Sequence, residues 1–177
     1  MTTQNFDSKS EELAAPIFSG LGAVRRDDIL PVLFTDDNGK EFRARADFYH
    51  PQTDTYLEYK DGRLNSIKSL SSSQNRLETQ IKWRRVTSPT RKDQLDFGWN
   101  HSLYKQLLVQ EGLGFLNFAV IFKAPPTDSD AKRYAKRGLV FCTLKSFRNF
   151  SAFVRFRKLG LNISFTLHCD NYTITIH

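Results

Sequence analysis

The sequence predicts a single α/β domain, and three observations carry that expectation. A chain of 177 residues with 40% hydrophobic content can bury one substantial core and is too short for two large domains. Fifteen Phe, six Tyr and two Trp supply the bulky groups of a packed interior rather than of a disordered chain. The apolar period also changes along the chain, from alternation by two near 41–60 to helical spacing further on, with a nearly continuous apolar run at 115–122. Residues 1–10 read as a flexible polar tail and 11–177 as the domain, with no internal repeat.

Ser10 to Ala15 reads as a short helix, with Ser10 as its cap, Glu11 and Glu12 in its first turn, and Pro16 as its stop. Gly20-Leu21-Gly22 and Gly112-Leu113-Gly114 begin like a dinucleotide fingerprint. Arg25 and Asn117 occupy the third glycine position, however, so both are read as turns. Ile29 to Phe34 is a strand, and Asp36-Asp37-Asn38-Gly39 a hairpin turn, because Asn-Gly accepts positive φ.

The next strand alternates Phe42, Ala44, Ala46 and Phe48 with Arg43, Arg45, Asp47 and Tyr49, which puts Asp47 on one face with Arg43 and Arg45. A turn at His50 to Asp54 leads to the strand Thr55 to Lys60, where Tyr56, Glu58 and Lys60 share one face and Leu57 and Tyr59 the other. If the two strands are neighbours, Asp47, Glu58 and Lys60 meet. Two hard carboxylates suit a divalent cation, since Mg²⁺ is commonly held by one or two acids plus waters and substrate phosphates. An ammonium beside them would orient water or offset phosphate charge. On a solvated face the same letters would make only a cross-strand ion pair.

Asp47, ten intervening positions, and then Glu58-Tyr59-Lys60 resemble the active-site signature of the PD-(D/E)XK nuclease superfamily, with Ala46 in place of the name-giving proline. The resemblance covers about 29–85. It implies a central mixed β-sheet that starts with an antiparallel meander and is flanked by helices, in the restriction-endonuclease-like manner. It implies Mg²⁺ or Mn²⁺ on Asp47 and Glu58, with the Tyr59 carbonyl as a further ligand and Lys60 activating or positioning the attacking water. It also implies a third acid from the preceding helix, Glu12 or, behind it, Glu11, although the helix dipole alone accounts for acids there. Superfamily members often add a Gln, Lys or Arg from the helix after the Glu-x-Lys strand, and Gln80 or Gln74 matches.

Beyond Lys60, residues 66–73 hold five Ser and one Lys and read as a connector. From Ser73 an amphipathic helix places Leu77, Ile81 and Val86 inward, with Gln74, Arg76, Gln80, Lys82, Arg84 and Arg85 on its polar side. His101 to Gln110 is a helix with Leu103, Leu107 and Leu108 inward, and His101 has no partner at metal-ligand spacing. Phe115 to Phe122 suits a central strand covered on both faces. Thr127 to Gly138 is a short helix carrying Lys132, Arg133, Lys136 and Arg137 around Tyr134, letters that suit a nucleic-acid backbone and equally a solvated helix. Leu139 to Leu144 is a strand, Ser146 to Lys158 a helix with Phe147, Phe150 and Phe153 as its core stripe, and 162–177 one or two closing strands.

Lys and Arg number 26 against 19 acids, a formal charge of +7, and the sequence pI is about 9.5. A polyanion is the simplest partner. With the resemblance, this reads as a metal-dependent endonuclease acting on DNA, working as a homodimer or in a larger nucleoprotein complex. The alternatives are a non-catalytic nucleic-acid-binding module, or the nuclease subunit of a transposase or restriction complex that needs a partner. Cys142 and Cys169 have no CxxC spacing and sit in apolar surroundings, so neither zinc nor a disulfide framework is expected. A cysteine hydrolase using Cys142 with His168 is the most distant option. No apolar leader and no apolar run of about 18 residues occurs, so a cytoplasmic chain without membrane contact is expected.

Overall fold

The computed structural model describes residues 9–25, 32–35, 41–64 and 102–177; for 32–35, 42 and 43 it describes the backbone alone. Helix α1 spans Lys9–Gly20, and strands β1 to β4 are Val32–Thr35, Glu41–Ala44, Phe48–His50 and Thr55–Lys60. Helix α2 (Leu103–Leu113), β5 (Phe118–Phe122), α3 (Asp128–Lys136), β6 (Phe141–Thr143), α4 (Phe147–Lys158), β7 (Phe165–His168) and β8 (Thr173–Ile176) follow.

A four-stranded mixed sheet in the order β3-β4-β5-β6 forms the centre, antiparallel between β3 and β4 and parallel from β4 to β6. Parallel neighbours need crossovers, and α2 and α3 lie in those connections. Every side chain of β5 is buried, as a central strand between two helix layers requires. On one face, Phe18 of α1 stacks on Phe48 at 4.2 Å and meets Tyr59 at 5.8 Å and Phe147 of α4 at 6.0 Å between ring centroids. On the other face, Tyr134 of α3 stacks on Phe122 at 5.5 Å, and α2 approaches Glu58. Gln110 ties α2 to the α3–β6 connection, its amide donating to the Gly138 carbonyl at 2.8 Å and its Oε1 accepting from the Val140 N–H at 2.7 Å. The stripe Phe147, Phe150, Phe153 and Val154 of α4 is buried, with Phe165 of β7 against Phe150.

Four sequence expectations are corrected. The meander does not run through one sheet: the stretch expected as a single strand breaks at Arg45–Asp47, β2 pairs with β1 in its own two-stranded sheet, and β3 begins the central one. Arg45 is exposed while Asp47 turns inward, so the shared face is lost. Pro16 does not stop α1, which runs on to Gly20. A proline inside a helix costs about 3 kcal/mol, and the complete burial of Phe18 two residues later offsets part of this. The real stop is Gly22, at φ +83°, where the Ala23 N–H donates to the Phe18 carbonyl and the Gly22 N–H to the Ser19 carbonyl. Ser10 lies within the helix and donates its hydroxyl to Asp61 instead of capping.

Behind α1, Val24 pairs antiparallel with Tyr49, the two backbones exchanging both bonds at 2.7 Å along the outer edge of β3. The strand pair β7–β8 forms a third, separate sheet. The hairpin turn at 36–39 and the helix expected from Ser73 lie outside the described residues. Among the described residues no helix is long and apolar enough to cross a membrane.

Candidate active site

The β3–β4 register pairs Phe48 with Leu57 and Tyr49 with Tyr56. Extended by one step, it sets Asp47, on the bend before β3, opposite Glu58. Asp47 Oδ2 accepts the backbone N–H of Tyr59 at 2.7 Å, which fixes the carboxyl at the sheet edge. Even-numbered residues of β4 bond to β5, as the Tyr56 N–H to the Asn117 carbonyl and the Lys123 N–H to the Lys60 carbonyl demonstrate. By alternation the Tyr59 carbonyl therefore points to the Asp47 side.

Glu58 and Lys60 follow on the same face of β4, both buried. Lys60 Nζ stands 2.7 Å from Glu58 Oε1. Lys105 Nζ lies 3.9 Å from that oxygen, and Gln106 Nε2 donates to it at 3.4 Å. Both come from α2, whose apolar side chains Leu103, Tyr104, Leu107, Leu108 and Val109 take up most of its circumference. A helix packed on several sides carries its few polar residues into the interior, and Lys105 and Gln106 are nearly inaccessible.

The carboxyls behave oppositely. Burial pushes the Asp47 carboxyl well above its ordinary range; the charges of Glu58 and Glu11 add to this, while Lys60 and the Tyr59 N–H oppose it. For Glu58, burial acts upward too, but Lys60, Lys105 and Gln106 overcome it and hold the carboxyl below its usual value. Burial would weaken the Lys60 ammonium, and Glu58, Asp47 and Glu11 outweigh it, so Lys60 stays charged more firmly than a free lysine. Acids and cations thus form one electrostatic unit in which Asp47 is the acid whose charged form is disfavoured.

No protein-family model matches the chain, and neither a curated protein nor a solved structure matches it.

The expected residues divide accordingly. Asp47, Glu58, Tyr59 and Lys60 come together. Glu12 does not join them: it is exposed and lines a groove of about 610 Å³ with Pro16, Ser19, Arg25 and Phe48. Glu11 lies on the stripe of α1 that carries Ala14 and Phe18 and is the acid whose charge reaches both Asp47 and Lys60; Glu12 is rotated off it by one residue, about 100°. Gln74, Arg76, Gln80, Lys82, Arg84 and Arg85 lie outside the described residues; among the described ones, Gln106 reaches Glu58. Sequence reasoning missed Lys105 and Gln106 because it assigned α2 inward leucines only; its nearly all-round apolar pattern was the available signal.

On α3, Lys136 and Arg137 are exposed, and Lys132 is exposed with its Nζ over the Tyr172 ring at 4.9 Å. Arg133 Nη2 is 2.8 Å from Asp130 Oδ1 and donates to the Leu64 carbonyl at 2.6 Å, so it fastens α3 to the segment after β4. Tyr134 is fully buried, its hydroxyl accepting from the Leu64 N–H at 2.7 Å, and presents no ring to a base. Cys142 is buried beside Ser146, and burial pushes its thiol well up, the reverse of an activated nucleophile. His168 is exposed and faces Thr173.

Two carboxylates and a main-chain carbonyl directed to one edge fit a hard cation that keeps several waters. A bound cation would offset the burial and the neighbouring acids that disfavour ionised Asp47. Among the described residues no group of three His, Cys, Asp or Glu stands at common ligand distance.

Proposed function

We propose that this chain hydrolyses phosphodiester bonds of DNA as a metal-dependent endonuclease of the PD-(D/E)XK type. The supporting observation is the meeting of Asp47, Glu58 and Lys60 across the β3–β4 register, with Asp47 anchored on the Tyr59 N–H. Asp47, Glu58 and the Tyr59 carbonyl would hold Mg²⁺ or Mn²⁺. When bound, that ion supplies Lewis acidity and lowers the pKa of a coordinated water. Because Lys60 is held charged, its role is to orient the attacking water and offset the growing charge on phosphate, rather than to take a proton as a free amine. Lys105 strengthens the positive field, and Gln106 steadies the Glu58 carboxylate. Exposed Lys132, Lys136 and Arg137, with the chain's net positive charge, would hold the sugar-phosphate backbone.

Incubation with linear, circular and branched DNA in Mg²⁺, Mn²⁺ or EDTA tests this. Cutting should require the metal and fall at least about 100-fold in Lys60→Ala and Asp47→Ala. Metal-dependent cutting undiminished in both variants would refute it.

The two ammonium groups and one amide gathered around Glu58 Oε1 favour a second reading, a non-catalytic nucleic-acid-binding module in which the polar cluster is balanced internally. There Asp47→Ala would leave DNA affinity and biological output intact. A chain inactive alone and active with a transposase or restriction partner would identify a partner-dependent subunit.

A further inference from the structure

The acid that joins the cluster from outside the sheet, Glu11, stands in the first turn of α1. First turns fray readily because their leading N–H groups lack partners within the helix. This one is fastened. Ser10 Oγ donates to Asp61 Oδ2 at 2.9 Å, and Lys123 Nζ stands 3.2 Å from Asp61 Oδ1. One carboxylate therefore offers one oxygen to α1 and the other to the end of β5. Asp61 directly follows Lys60, and the Lys123 N–H donates to the Lys60 carbonyl at 2.9 Å. Ser10 directly precedes Glu11. The Ser10–Asp61 bond thus joins the two backbone positions adjacent to Glu11 and Lys60, and so limits how far those side chains can separate.

We propose that the Ser10–Asp61–Lys123 clasp is a positioning device that keeps the Glu11 charge within reach of the Asp47–Lys60 pair and thereby sets the site's affinity for its divalent cation without touching the ion. Ser10 and Asp61 are positioning residues, and the inference rests on the nuclease reading above. The clasp is largely solvent-exposed, so its effect is graded. Losing one hydrogen bond of this kind changes an equilibrium by about three- to ten-fold.

The test measures DNA cleavage against Mn²⁺ concentration for wild type, Ser10→Ala, Ser10→Thr, Asp61→Asn, Glu11→Gln and the Ser10→Ala, Glu11→Gln double variant. Ser10→Ala should raise the Mn²⁺ needed for half-maximal cutting about three- to ten-fold and leave the rate at saturating Mn²⁺ nearly unchanged. Ser10→Thr, which keeps the hydroxyl, should restore the wild-type curve. In the Glu11→Gln background Ser10→Ala should add almost nothing, since both changes act on one contact. Amide exchange in the first turn of α1 should quicken in Ser10→Ala and not in Ser10→Thr. An unchanged Mn²⁺ requirement in Ser10→Ala, or an effect of equal size with and without Glu11, overturns the clasp while cleavage by wild type stands. A wild-type chain that neither cuts DNA nor responds to Mn²⁺ overturns the nuclease reading and this inference with it.

Discussion

Helices α2 and α3 flank the same face of the sheet, both carry lysine or arginine, and they use those cations in opposite ways. On α2, Lys105 is buried with its ammonium 3.9 Å from Glu58. On α3, Arg133 closes on Asp130 and on a backbone carbonyl, while Lys132 and Lys136 stay at the surface. By sequence α3 has the denser positive charge, yet α2 supplies the cation near the acids. What separates them is desolvation. A charge taken out of water persists only if paired, so a buried lysine marks a place where opposite charge has been gathered, whereas a row of exposed ones marks only a hydrated face.

Substitutions can break or sharpen this contrast. Glu58→Gln should have the largest effect, leaving Lys60 and Lys105 buried without their acid: cleavage should disappear, and urea denaturation should register a loss of about 3–5 kcal/mol. Lys105→Met should lower cleavage by about ten-fold but change stability by less than about 1 kcal/mol, because Lys60 still balances Glu58. A Lys105→Met chain with full activity would erase the distinction between the two helices.

The pH dependence sharpens it further. The Asp47 carboxyl is raised in the folded chain, so its stabilising contribution is full below its unfolded pKa and is lost as pH rises through the folded value. Asp47→Asn should therefore be more stable than wild type near neutral pH in the absence of metal. The gap should narrow toward about pH 4, as urea denaturation across that range would measure. On α3, Tyr134→Phe removes the acceptor of the Leu64 N–H and should cost about 1–2 kcal/mol with the DNA affinity intact. Smallest of all, Lys136→Ala should alter stability by less than about 0.5 kcal/mol, while the salt dependence of DNA binding loses about one unit of slope, measurable by titration at several salt concentrations.

Much of the architecture could be read from the chain because the relevant signals are local. The alternation Tyr56, Glu58, Lys60 against Leu57, Tyr59 fixed the faces of β4, the run at Phe118 to Phe122 marked the strand covered on both sides, and the phenylalanine spacing of α4 gave its buried stripe. What escaped depends on distant partners. Pro16 looked like a stop because its cost is local, whereas the reward for continuing, Phe18 against Phe48, Tyr59 and Phe147, comes from other elements. The break at Arg45–Asp47 was hidden because two strands of different sheets share one unbroken alternation. Glu11 rather than Glu12 could be chosen only once the stripe of Ala14 and Phe18 was known to face the sheet. Lys105 and Gln106 look like ordinary surface residues until the acid they approach, 47 and 48 positions earlier, is brought beside them.

A border strand normally leaves a row of amide groups ready to recruit strands from other molecules, the usual seed of cross-chain aggregation. Here the two bonds between Val24 and Tyr49 occupy the middle of the three-residue β3. The segment behind α1 therefore works as a built-in chaperone for that border, and a proline at Val24, which could not donate to Tyr49, should cost solubility well before it costs the fold.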